Sequence, residues 1–561
     1  APEGSDPEGT VPEGTDPEGT APEGTDPEGS VPDGSDPEGT VPGDTDPEGT
    51  VPEETDPEGT VPEGSDPEGT VPGGTDPEGD PVPGDNTSVP GTDAVPLQPA
   101  VSTLADGTIS RVDELKAAFA SGGEFTLTAP VNCPVMLTLD EGKTLDLDLG
   151  GNTLTFTYRD FVEDAGSGKT YLAAINNKGT LTIDNGTVSM TASNTGLVNF
   201  GTLNLGSDAV LSTMGPSLNN LGGEVTTAAD ISSAGTVSGD GKVTIYSDCI
   251  ISYGGTVEIT GGVLDSTAAS GTALTLFNRE YKNDTEGAEA TISGGTFNSY
   301  YFAATTNNLY SNNCSLTITG GELNSVYSAI YWPSAGALTI GNDDGTGPVI
   351  TATEGSAVEI CCGTLEILGG TLNGNAGIFT PTDNYLVEGY RQHDGGASTG
   401  DAVTVISRRA GNAGSGYVSA PLSVVIRDGI FNSTQNYGLR YLDCNTAPGA
   451  EQLDQEVTFR INGGTFNGKA ASLESQYIAD GEKQYIYGGR FAMGGVDSVI
   501  ESYLADNYVL AAETGYWVVS ETDADGSLTA QPSAPTSSVS EVETPAVPEG
   551  VTPPTAEETQ A

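Results

Sequence analysis

Basic residues are scarce in this 561-residue chain: 18 Lys and Arg stand against 80 Asp and Glu, for a formal net charge of −62. Nucleic acid is thereby excluded as a partner, because phosphate recognition needs a basic patch and none stands out. Histidine is nearly missing, with His393 the single copy. Six cysteines (133, 249, 314, 361, 362, 444) are too few and too scattered for a disulfide scaffold. They lack the paired spacings of a zinc site, so no metal site is expected. Cys249 and Cys361 lie in apolar strand patterns and are expected as small core residues, while pairing of Cys314 or Cys444 with a neighbour stays open. No apolar run of about 18 residues occurs, so no membrane span is expected. Neither an LPxTG-like sorting motif nor a signal-peptide pattern is present, and the chain starts at Ala1-Pro2.

What the chain does contain is a phrase repeated between Ile183 and Phe491: apolar-x-Ile-x-Gly-Gly-x-[Leu/Phe]-[Asn/Asp]. Copies are VEITGGVLD (257–265), ATISGGTFN (290–298), LTITGGELN (316–324), LEILGGTLN (365–373) and FRINGGTFN (459–467). VVIRDGIFN (424–432), QYIYGGRFA (484–492) and LTIDNGTVS (181–189) are looser copies. Ile stands three residues before the second Gly in every one. Alternation around it has period two, one face inward and one outward. The glycines turn the chain, since Gly accepts positive φ cheaply. An apolar side chain then points inward again, and Asn follows it. Asn tolerates turn conformations, and if coils stack in register Asn298, Asn324, Asn373, Asn432 and Asn467 bond one another as a ladder.

The second Gly recurs at 262, 295, 321, 370, 429, 464 and 489. The 49-residue gap holds a further strand pair, ALTIG (337–341) and PVITAT (348–353), and counts as two coils. The unit is then roughly 25 residues, within the range of solenoids. A β-sandwich with Gly-rich turns has no reason to repeat Ile, Gly, Phe and Asn at fixed offsets.

These residues resemble the right-handed parallel β-helix (pectin-lyase-like) domains on exported surface proteins of Gram-positive bacteria. The resemblance covers about residues 101–520. It includes the start RVDELKAAFASGGEFTLTAPV (111–131) and KTLDLDLGGNTLTFT (143–157), and the end GGRFAMGGVDSVIESYLADNYVLAAETGYWVV (488–519). It implies an all-β, right-handed solenoid and an extracellular place, at the bacterial surface or secreted. It implies no particular activity. On physical grounds the segment 113–120 is a short helix with Leu115 and Phe119 on one face and Gly122-Gly123 as its stop. Such a helix laid over an open solenoid end prevents edge pairing, and 498–504 suits the same task at the other end.

Three segments follow from composition: a stalk (1–100), the solenoid (101–520) and a Pro/Ser/Thr-rich tail (521–561). Residues 1–80 hold 25 carboxylates and no base, in x-Pro-Glu-Gly-[Thr/Ser] pentads. No side-chain run there can bury a core, so an extended, disordered stalk with transient turns is expected, and the tail reads as a second linker. The array leaves room for weak Ca²⁺ binding at most, because Pro and Gly keep the carboxylates from converging on one ion. No cofactor is expected, and a monomer is.

The fold that the resemblance names also serves polysaccharide lyases and hydrolases. Of the galacturonase-like motifs only a bare Asp343-Asp344 occurs, inside the turn-like GNDDGTG. An insertion at roughly 380–423 carries Arg391, His393 and Asp394, and loops leaving a rigid scaffold often hold function. A lone His on such a loop is more often an exposed polar residue than a general base. Aromatics after the Asn corner motivate binding instead. Tyr301, Tyr331, Trp332 and Tyr441 follow it, and alignment places Tyr331, Phe379 and Arg440 outward on one side. Outward rings stack on sugars, and Arg contacts carboxylated sugars. A face of stacked threonines for ice is broken at Glu366-x-Leu368 and Arg460-x-Asn462. The expectation is a non-enzymatic adhesin-like or glycan-interaction protein binding a glycan or host-surface ligand. The alternatives are a β-helix polysaccharide lyase or glycoside hydrolase, and a structural wall spacer.

Overall fold

The computed structural model describes residues 107–523, apart from 239–241, 281–282, 307–312, 377–398, 408–420, 444–455, 470, 476–483 and 495–496. The acidic stalk, residues 101–106 and the tail from 524 onward lie outside the described residues. So do Phe379, Arg391, His393, Asp394 and Cys444.

Three long sheets of 13, 15 and 14 strands run side by side, and the chain visits them in turn. One coil shows the path. Cys314–Ile318 lies in the first sheet, Glu322–Ser325 in the second and Ile330–Trp332 in the third. The next strand, Gly336–Ile340, returns to the first sheet and pairs in parallel with Cys314–Ile318, residue for residue. Repetition of this circuit makes the chain an all-β parallel solenoid. Each circuit buries its inward row against the coils above and below.

The repeated Ile is the centre of that core. Ile259, Ile292, Ile318, Ile340, Ile367, Ile426 and Ile461 occupy one register column of the first sheet. All are fully buried. In the second sheet Phe431, Phe466 and Phe491 stack nearly parallel, with ring centroids 4.6 and 4.8 Å apart. The Gly pair between them has two separate causes. Gly464 adopts φ +97°, which L side chains rarely enter. A Cβ on Gly463 would stand 2.2 Å from the Arg427 carbonyl oxygen of the preceding coil.

The 49-residue gap is two coils, because Gly336–Ile340 and Val349–Ala352 each pair with strands on both sides. Gly123–Leu127 with Val131–Cys133 turns through Thr128-Ala129-Pro130, and two further coils also lack the Gly-Gly phrase. Thr202–Leu205 with Ala209–Thr213, and Glu224–Thr227 with Asp230–Ser233, turn through Gly206-Ser207-Asp208 and Ala228-Ala229 instead.

Asparagine side chains bond along the second sheet. Asn324 donates to Asn298 at 3.5 Å, Asn432 to Asn373 at 2.9 Å and Asn467 to Asn432 at 2.9 Å. Thr351 takes the place between Asn324 and Asn373 and accepts from Asn373 at 3.2 Å. A second ladder, fully buried, closes the third sheet. Asn177 donates to Asn199 at 2.7 Å, Asn199 to Asn220 at 2.9 Å, and Asn220 to the Ser252 hydroxyl at 3.0 Å. This ladder was not among the expected features. Its signal was the phrase Asn-x-Gly at 177–179, 199–201 and 220–222.

Both ends are closed. The helix Val112–Ser121 sends Leu115, Ala118 and Phe119 into the main core. The Ser110 amide and hydroxyl both donate to Glu114, at 2.8 and 3.1 Å. With the Arg111 guanidinium, they hold the Glu114 carboxyl down at about 2. Gly122 ends the helix at φ +73°. At the far end the helix Asp497–Ser502 contributes Ile500, and Tyr503 follows it into the core. A hairpin, Tyr508–Glu513 with Tyr516–Glu521, then pairs antiparallel to Arg490–Ala492 and ends the parallel run.

Candidate functional site

The second and third sheets meet at a corner that the chain turns once per coil. Successive coils turn it at 234–249, where a short antiparallel pair Thr236–Val237 with Val243–Ile245 is inserted, and at 267–273, 300–303, 326–329 and 353–357. Tight register here comes from backbone bonds between coils, such as Tyr327 N to Tyr300 O at 3.1 Å. The same register collects aromatic rings. Tyr300 meets Tyr301 and Tyr327 edge-on at 5.3 and 5.4 Å. Tyr301 stacks with Tyr327 at 5.7 Å and approaches Tyr246 at 6.2 Å. Phe302 continues the cluster, 6.2 Å from Tyr301. All five rings are half-buried. Burial and the neighbouring phenols push the Tyr301 hydroxyl up to about 12. Burial, the Tyr300 hydroxyl and the Glu354 carboxylate raise Tyr327.

One carboxylate, that of Glu354, acts on this cluster, and two others lie on the preceding coils. Glu354 stands on the next coil, its amide bonded to Val326 O at 2.6 Å. Asp265, one coil before the Tyr300 pair, accepts from the Thr267 amide and hydroxyl at 3.0 and 2.7 Å. Asp248 accepts from the Thr272 amide at 2.8 Å. Burial pushes its carboxyl up to about 6, against the opposing pull of that amide. Lys242 is the one Lys, Arg or His among the described residues of these five corner segments.

The expected outward strip is corrected in part. Ile330 and Trp332 point into the core and Tyr331 alternates outward, yet Tyr331 has no exposed surface. Phe302 stacks over it at 5.2 Å and 24°. Arg440 and Tyr441 are also buried, Tyr441 within the core and Arg440 on the outer row. The physical reason is general to this sheet. Its outward row is buried at Val198, Ile251, Thr305, Tyr331, Glu359 and Thr404 as well, so facing out of a coil does not mean facing water. Of the residues expected to bind sugar, Tyr301 alone among those described keeps an open ring. Sequence reasoning missed Tyr246, which joins it from two coils earlier.

Arg440 has a partner that explains its burial. Its Nε lies 2.8 Å from Asp401 Oδ2, with both side chains wholly covered. Asp401 also accepts from the Thr399 hydroxyl, from Thr404 at 3.1 Å and from the Tyr437 amide at 3.0 Å. Burial raises the Asp401 carboxyl, and Arg440 and these donors oppose the rise. Such an enclosed pair holds the coils together and presents nothing to a ligand.

A hairpin, Asp160–Glu163 with Thr170–Asn177, leaves the third sheet near its start. Val162 and Ala173 from it form a small second core with Val198 and Leu221. Asp164 in its turn takes both arms of Arg279, at 2.5 and 2.7 Å, from a strand four places along the sheet. Burial pushes Asp164 up. Arg279, Ser167 and the Gly166 amide outweigh it and hold the carboxyl at about 2.

The Asp343-Asp344 pair belongs to a turn. Asp344 accepts from the amide and hydroxyl of Thr346 at 3.0 and 2.5 Å, which lowers its carboxyl. Cys133, Cys249, Cys314, Cys361 and Cys362 are all buried. Among the described residues no group of three His, Cys, Asp or Glu could hold a metal ion. No helix there is long and apolar enough to cross a membrane. Comparison with protein-family models, curated proteins and solved structures finds no match.

Proposed function

We propose that this chain is an exported, surface-displayed protein that binds glycans without chemically altering them, and that the tyrosine corner is its contact. The observation that carries this reading is the half-buried cluster that Tyr246, Tyr300, Tyr301 and Tyr327 form from three coils. Rings fixed in place by a stacked backbone offer area for sugar stacking with little entropy left to lose. The acidic Pro/Gly stalk and the resemblance to bacterial surface β-helices support display outside the cell. The direct test is retention of the full chain on a mucin- or polysaccharide-coated surface. Tyr301→Ala and Tyr327→Ala should each lower retention about tenfold without loss of fold. Unchanged retention in both variants contradicts the assignment.

A second reading, a glycoside hydrolase or lyase, is favoured by one observation. Asp248 near the same corner is raised to about 6, in the range of a general acid. On that reading, incubation with a polysaccharide panel releases new reducing ends or unsaturated uronates, and Asp248→Asn stops it. Their absence across the panel leaves binding as the activity.

A further inference from the structure

We infer that the outer face of the second sheet, from Val349 to Asn467, is a second glycan contact that lays a long uncharged polysaccharide along the solenoid axis. The inference shares the reading of the chain as a glycan binder. It adds a site apart from the tyrosine corner, with its own class of ligand.

Four coils build this face. Their second-sheet strands pair in register, so the outward side chains fall into two columns. One column runs Val349, Thr371, Ile430 and Thr465, with Val349 42% and Ile430 45% exposed. The other runs Thr351, Asn373, Asn432 and Asn467, and it is bonded end to end. The Tyr516 hydroxyl donates to Asn467, Asn467 to Asn432 and Asn432 to Asn373, each at 2.9 Å, and Asn373 donates to the Thr351 hydroxyl at 3.2 Å. An amide nitrogen carries two hydrogens, so each Asn keeps one N–H that the row does not use. The row fixes these amides before any ligand arrives, which leaves little side-chain freedom to lose on binding.

Charge singles this face out. None of its outward side chains is charged, on a chain of net charge −62. Over the same coils the first sheet turns Glu366 and Arg460 outward, and the third buries its outward Glu359, Thr404 and Arg440. Among the described residues the second sheet alone is both open and uncharged there. Such a face holds no counter-charge for an acidic or an amine-bearing polymer. Its methyl column suits sugar C–H surfaces, and its spare amide hydrogens suit hydroxyl oxygens as acceptors. Coils repeat about every 4.8 Å, so a polymer of identical units repeats its contacts along the axis, which an irregular protein surface does not. Without rings each contact is weak, and the gain comes from one long chain engaging several coils at once.

Pull-down of the full chain on suspensions of cellulose and of chitin tests this. Val349→Lys/Ile430→Lys places charge at two exposed positions and leaves the core and the tyrosine corner as they are. Wild type should be retained on at least one of the two polymers. The lysine variant, confirmed folded by circular dichroism, should be retained about tenfold less, and Thr371→Lys between them should act the same way. Adding the two lysines to Tyr301→Ala/Tyr327→Ala should remove the retention that remains in that variant. Retention that the lysines leave unchanged overturns the face and leaves the tyrosine corner standing. Retention lowered by the lysines but not by loss of the tyrosines overturns the corner and supports the face. No retention of wild type on either polymer overturns the face, whatever the corner binds. A wild-type dimer in sedimentation that the lysines break makes the face a contact between copies, and overturns it too.

Discussion

At the scale of single residues, the phrase Ile-x-Gly-Gly-x-Phe-Asn divides its work among four kinds of force. Ile and Phe remove apolar area from water, the first Gly permits close approach, the second permits a positive φ, and Asn bridges coils. Each can be removed separately. Gly464→Ala should cost roughly 1–3 kcal/mol, the usual charge for an L residue held in a sparsely populated region. Gly463→Ala should cost at least as much, because its Cβ meets the Arg427 carbonyl at 2.2 Å. Asn432→Ala breaks two ladder bonds, to Asn373 and from Asn467, and should cost about 1–3 kcal/mol. Urea melts that show no difference between Gly463→Ala and wild type would contradict the close-approach account.

Asp164 makes a separate prediction about acid. Its ordinary pKa of 3.8 falls to about 2 in the folded chain. Between those values the unfolded chain binds a proton that the folded chain does not. The stabilisation is therefore present above about pH 4 and is lost as pH falls toward 2, on the order of 2 kcal/mol in all. Wild type should lose more stability than Asp164→Asn between pH 5 and pH 2.5. Parallel losses would mean that Arg279 holds the hairpin by packing alone.

At the scale of elements, the two ends of the solenoid are where the sheet would otherwise expose core and unpaired backbone. Phe119 on the N-terminal helix is 2% exposed, and Phe119→Ala should cost about 3–5 kcal/mol by the lost burial and the cavity left behind. Unfolding followed by circular dichroism reads it, and a shift no larger than that of a surface Ala substitution would show that the helix is not a cap. The N-terminal helix was legible from Leu115, Phe119 and a Gly stop, and the far one was expected at 498–504 only from the need to cover that end. The coils at 202–213 and 224–233 were not, because their turns use Gly206-Ser207-Asp208 and Ala228-Ala229. A corner can be turned by any short residues that fit, so a search for one phrase undercounts coils. The hairpin that Asp164 closes also went unseen, since its bond to Arg279 spans 115 residues.

At the scale of the whole molecule, alternation placed Ile330 inward and Tyr331 outward as the structure has them, whereas Trp332 and Tyr441, expected as sugar contacts, point into the core. It could not say which outward rows remain wet. Tyr331 and Arg440 face out of their coils and are nonetheless buried, one under Phe302 and one against Asp401. That outcome depends on residues distant in the chain, which no local period encodes. The tyrosine corner was half legible: Tyr301 stood out by its place after the Asn corner, whereas Tyr246 reaches the cluster only through register across two coils.

The most direct test of the account is a glycan array probed with the full chain and with the Tyr301→Ala/Tyr327→Ala double variant, both confirmed folded by circular dichroism. The account predicts a defined set of bound glycans for the wild type and an empty array for the double variant. The same glycans bound by both proteins, or none bound by the wild type, would contradict it.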